Sequence, residues 1–154
     1  MTTYNQLRTE NEMELIFDAC SENEGLARVA VAAFTSTKNP TLEELADIKT
    51  AVSEAVTNAI IHGYEGRNGK VTLRCKFIGN TLMVEIEDKG VGIENLEQAM
   101  EPLYTSKPDM DRSGMGFSFM EAFMDDLEVV SVPLDGTLIR MKKEIGSTPW
   151  ICEE

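Results

Sequence analysis

Three short stretches of this chain hold residue types that chemistry uses, at spacings that aim them together. Glu54, Asn58 and His62 stand at i, i+4 and i+8 of a helical pattern, so they stack along one line. That line borders an apolar stripe of Leu45, Ile48, Val52, Ala55, Val56, Ala59 and Ile60, which sets Glu54 and Asn58 at the edge of a pocket. A carboxylate there can act as a general base, and an amide oxygen is a hard ligand suited to Mg2+. Asp88-Lys-Gly90-Val-Gly92 ends a strand pattern with an acid and two glycines. Such an acid can accept a hydrogen bond from an exocyclic amine like that of adenine, and the glycines let the backbone turn sharply and approach something closely. Ser113-Gly114-Met115-Gly116-Phe117 opens a helix, and exposed N–H groups at a helix start attract anions, as in a phosphate cradle. Lys107 and Arg112 lie in the loop just before it, within reach of phosphates. Taken singly, each stretch also has an ordinary reading: a polar helix flank, a strand-ending turn, a helix cap and a solvated loop.

The elements that must position these residues follow from periodicity and punctuation. Residues 12–19 form a first strand. Ser21 and Glu24 have capping-box spacing and open a helix to about Lys38, with Leu26, Val29, Ala30, Ala33 and Phe34 as its apolar side. Asn39-Pro40 breaks it, and Thr41 with Glu44 repeats the box at the head of a longer helix, 42–62. Val71, Leu73, Cys75 and Phe77, then Leu82, Val84 and Ile86, alternate with polar residues around Gly79-Asn80, which is a hairpin. Residues 94–113 form an irregular loop with one short helical stretch; a helix at about 116–124 and strands 127–132 and 137–142 close the chain. The fold class is α+β: a two-layer α/β sandwich whose mixed, largely antiparallel sheet is covered on one face by helices. The organisation is a polar extension over 1–11, one domain over 12–144 and a tail over 145–154.

Composition narrows the function classes. The net charge of −13 over 154 residues lacks the basic surplus that a grip on nucleic-acid backbones or an acidic membrane needs. The first twenty residues have no basic start and no apolar signal core, so a cytoplasmic chain is expected. Cys20, Cys75 and Cys152 suit neither a disulfide framework nor a zinc site. His62 is the only histidine, which excludes mechanisms needing two.

Each signal is weak, but their order is specific. Glu54-Ala-Val-Thr-Asn58-Ala-Ile-Ile-His62-Gly63, then Asp88-x-Gly90-x-Gly92, then Gly114-x-Gly116 resembles the Bergerat-fold ATPase and kinase superfamily, which includes gyrase, the histidine kinases and MutL. Within it, the segments 21–34, 52–64, 102–108 and 112–117 resemble the anti-sigma F factor family of endospore-forming bacteria. The resemblance implies a small ATP-dependent serine kinase. Such a kinase sequesters a sporulation sigma factor as a homodimer and phosphorylates a serine on an anti-anti-sigma partner. By the same resemblance Glu54 is the general base, Asn58 holds Mg2+, Asp88 reads the adenine amine with Gly90 and Gly92 beside the base, and Thr137 lies near the adenine. Residues 94–113, including Thr105, Lys107 and Arg112, form a lid; Ser113, Gly114, Met115, Gly116 and Phe117 form the cradle; Arg28 meets protein partners. The alternatives within reach are a switch kinase for a stress-response sigma factor and an ATP-gated binding module without transferase activity. A histidine kinase core would need an attached phospho-acceptor domain.

Overall fold

The computed structural model describes residues 11–101 and 116–146. Strand β1 (Glu12–Asp18) leads to helix α1 (Glu22–Thr35), a 3-10 turn (Ser36–Lys38) and helix α2 (Leu42–Asn58), which ends in a π-helical turn (Ala59–Gly63). The hairpin β2 (Lys70–Ile78) and β3 (Thr81–Asp88) follows, then the short α3 (Leu96–Ala99), α4 (Gly116–Phe123), and the hairpin β4 (Asp126–Val132) and β5 (Gly136–Glu144). The sheet order is β1-β2-β3-β5-β4, and every described pairing is antiparallel, so the expected mixed character is not seen among these strands. No helix among the described residues is long and apolar enough to cross a membrane.

Alternation decides which face of the sheet is covered. Val71, Leu73, Cys75 and Phe77 of β2 and Leu82, Val84 and Ile86 of β3 are buried under the helices. α2 lies between α1 and α4 and buries Ile48, Val52, Ala55 and Val56 against them, while Phe34 of α1 stacks on Phe77 at 5.3 Å. The other face carries cross-strand ion pairs: Arg74 with Glu87 at 2.7 Å, and Arg140 with Glu85 at 2.9 Å and with Glu128 at 3.0 Å.

Two local expectations need correction. α1 buries Ala27, Val31 and Phe34, whereas Leu26 and Val29 are exposed, so its inward face is turned by about one residue from the stripe expected. From Leu26 to Phe34 only Arg28 is polar, and a helix apolar almost all round gives periodicity nothing to phase on. The Ser21 capping box does not form either, because Glu24 turns away to bond Ser53 of α2 and to pair with Arg28.

The second box does form. The Thr41 hydroxyl accepts from the Glu44 N–H at 3.0 Å, and the Glu44 carboxylate accepts from the Thr41 N–H at 2.9 Å. Glu44 is buried and also accepts from the Gly146 N–H at 3.1 Å, tying the head of α2 to the end of β5. Urea unfolding should therefore show Thr41→Ala losing about 1 kcal/mol and Glu44→Ala about 2 kcal/mol, since the latter strands two donors. A loss below about 0.5 kcal/mol for Glu44→Ala would mean that water replaces these bonds.

Candidate functional site

The site is built where the end of α2 meets the end of β3. Glu54 and Asn58 are half-buried on the last turns of α2, as their position beside the apolar stripe requires. Continuing past Asn58, the helix widens into the π turn, a distortion common at functional sites. That turn brings Gly63 against Asp88: a Cβ at Gly63 would lie 2.7 Å from the carboxyl carbon. The carboxylate fills the space that a side chain would otherwise occupy.

From Asp88 the chain threads between two other backbones. A Cβ on Gly90 would stand 1.9 Å from the Gly63 carbonyl oxygen, and one on Gly92 (φ 72°) 2.3 Å from the Val132 oxygen. The Val91 N–H donates to the Gly63 oxygen at 2.8 Å, and the Val91 oxygen accepts from the Leu134 N–H at 2.6 Å. The glycines were expected to allow a close approach, and the partners they approach are the protein's own chain on both sides. On the β5 side Thr137, buried and opposite Asp88 in the ladder, shares a hydrogen bond with Ser131 at 2.8 Å. Ser131 Oγ in turn accepts from the Ile93 N–H at 2.7 Å, which fixes the far end of the turn.

Asp88 is 3 % exposed, and burial pushes its carboxyl up to about 6, against the pull of hydrogen bonds from the Gly90 and Thr137 backbone. The Gly90 N–H donates to Oδ1 at 2.9 Å. This is an acid held out of water, able to accept from a donor brought by a ligand.

Gly116 comes beside Glu54, since a Cβ there would lie 3.3 Å from Glu54 Oε2. The first turn of α4 therefore faces the carboxylate predicted to do chemistry. Phe117 is buried in the core, leaving only its backbone for a ligand. Arg28 is not among the residues gathered here; it stands exposed on α1 and pairs with Glu24 at 3.5 Å. Thr105, Lys107, Arg112, Ser113, Gly114 and Met115 lie outside the described residues. Three contributors were not foreseen. Gly63 and Tyr64 lie within the segment 52–64 that carries the resemblance but had no role of their own, and Ser131 carried no motif.

The raised carboxyl gives a pH signature. The folded protein keeps the Asp88 proton up to about pH 6, and an unfolded aspartate only to 3.8. Between these values the native state binds the extra proton, so this group's contribution to stability falls as pH rises, by about 3 kcal/mol across the window. Asp88→Asn lacks that dependence. Its unfolding free energy relative to wild type should climb by about 2 kcal/mol from pH 4 to pH 7, and a difference that is flat with pH would contradict the assignment.

The chain matches known proteins over most of its length. The family model described as histidine kinase-like ATPase domain matches residues 17–143. The anti-sigma F factor of Clostridium acetobutylicum is 60% identical over 137 residues, 89% of this chain and 96% of that protein. Those of Clostridium perfringens strain SM101 and Thermoanaerobacter sp. strain X514 are 58% and 56% identical, over 90% and 89% of this chain and 99% and 96% of theirs. The crystal structure of the RsbU and RsbW domains of a Mycobacterium tuberculosis protein superposes with a TM-score of 0.64 at 17% identity, over 88% of this chain. This chain spans 32% of that one, and at such identity the likeness speaks for the fold. With the matched model covering most of its length and relatives at this identity, the chain belongs to the anti-sigma F factor family, built on a histidine kinase-like ATPase domain.

Proposed function

We propose that the protein binds ATP at the Asp88 turn, holds a sporulation sigma factor inactive, and phosphorylates a serine on an anti-anti-sigma protein that opposes it. The observation that carries the reading is the buried Asp88 carboxylate, a desolvated acceptor walled by backbone. A purine amine satisfies such an acceptor without bringing a counter-charge into the core. A base held there has its phosphates directed along α2 toward Asn58, Glu54 and Gly116. The family's name supplies the sigma factor, and the resemblance supplies the serine on the opposing partner.

Transfer needs positioning and charge stabilisation more than covalent help from the protein. The serine oxygen bonds to the γ-phosphorus as the bond to the ADP oxygen breaks, and Glu54 takes the hydroxyl proton. No group of three or more His, Cys, Asp or Glu among the described residues forms a metal cage. Mg2+ commonly takes one or two protein oxygens and the rest from phosphates and water, so a single protein oxygen suits it. The Asn58 amide oxygen would hold it, and the ion would supply charge neutralisation at the phosphates. Lys107 and Arg112 in the lid, with Thr105 and the Ser113–Phe117 cradle, complete the phosphate contacts in this reading.

Arg28 supports the partner half of the reading. It stands on α1 between Leu26 and Val29, which are 50% and 62% exposed, so this surface offers a cation flanked by apolar area. The homodimer and the cytoplasmic setting follow from the same resemblance, a sigma factor being a partner of RNA polymerase. The net charge of −13 argues for protein partners and against direct contact with nucleic acid.

Incubation with labelled ATP, Mg2+ and the opposing anti-anti-sigma protein tests the reading by phosphate on a serine of that protein. Glu54→Ala should bind ATP nearly as wild type does and lose transfer by about 100-fold or more. Normal transfer by that variant would remove Glu54 from the chemistry, and no transfer by the wild type would leave a binding module.

A further inference from the structure

Lys89, Gly90 and Val91 follow Asp88 directly, and each donates its N–H to a different acceptor. Lys89 donates to the Tyr64 phenol oxygen at 2.8 Å, Gly90 to Asp88 Oδ1 at 2.9 Å and Val91 to the Gly63 carbonyl at 2.8 Å. The Tyr64 hydroxyl gives its own proton to the Lys70 carbonyl at 2.5 Å. The β2–β3 ladder is in register at Val71 opposite Asp88. At the next pair outward, Lys70 and Lys89, the two backbones are joined through the phenol oxygen. One side-chain atom therefore holds the strands apart at the point where β3 must leave the sheet.

We propose that Tyr64 is a positioning residue for base recognition, its hydroxyl setting the direction in which Asp88 presents its carboxylate. This rests on the nucleotide reading of the site. Gly63 and Tyr64 are consecutive, so the end of α2 grips the turn twice, once by a carbonyl and once by a phenol. The aim of Asp88 is thereby registered to the helix that carries Glu54 and Asn58. The ring itself is seated flat on Gly69, where a Cβ would stand 2.3 Å from Cε1. The seat holds the phenol in place without a polar contact of its own.

Tyr64→Phe keeps the seated ring and removes the oxygen. Titrations with Mg·ATP and with the Mg complex of purine riboside triphosphate, which lacks the exocyclic amine, separate aim from bulk structure. Tyr64→Phe should weaken ATP binding by about 10-fold and leave the purine analogue unchanged, because only the amine meets Asp88. Gly69→Ala, which pushes the ring off its seat, should show the same selectivity. At saturating ATP the transfer rate should stay near wild type. Equal weakening of both nucleotides, or none of either, with a wild type that binds ATP, would overturn the role of Tyr64 and leave the nucleotide site standing. A wild type that binds neither nucleotide would overturn both.

Discussion

The arrangement depends on one confinement: the chain from Asp88 to Gly92 runs between the end of α2 and the β4–β5 turn, with no room for a Cβ at Gly90 or Gly92. Gly63 and Gly90 touch on one side, and Gly92 meets Val132 on the other. Main-chain hydrogen bonds to Gly63 and from Leu134 fasten both flanks. Such a strip cannot shift without moving a helix or a hairpin, which makes it a rigid support for a buried acid. Rigidity matters because the acid is unfavourable where it stands. A carboxyl pushed up to about 6 records a native state that tolerates a desolvated charge, a burden that functional sites commonly carry.

That confinement also explains what the sequence revealed and what it hid. The Thr41-Glu44 box and the alternation of β2 and β3 were legible because they depend on residues near one another in the chain. Glu54, Asn58 and Asp88 could be singled out from helical stacking and strand ending alone, and their order pointed to the family. The roles of Gly63 and Tyr64 were not legible, since each acts on a turn some twenty-five residues away. Gly90 and Gly92 were read as allowing a close approach, and which backbones they approach, Gly63 and Val132, is set by segments distant in the chain. α1 shows the opposite failure. Its composition is so evenly apolar that the inward face is chosen by tertiary packing, and Glu24 gives up a local cap to bond across to α2.

The two flanks of α2 adjoin different features. On one flank the helix lies against α4, with Glu54 beside Gly116; on the other it lies against α1, whose outward side carries Leu26, Arg28 and Val29. In the function proposed above, the α4 flank would serve the nucleotide and the α1 flank a protein partner, and one central helix adjoins both. On the outer face of the sheet Arg74 and Arg140 pair with Glu87, Glu85 and Glu128 across the strands.

In the proposed function, adenine nucleotide is bound where α2 and β3 end. Hydrogen exchange of the backbone amides, with and without Mg·ATP, tests it most directly. Exchange should slow over Ala59–Gly63 and through the Asp88 turn, with the ion-paired strands of the outer face unchanged. Protection absent from both segments, or confined to the outer face of the sheet, would contradict it.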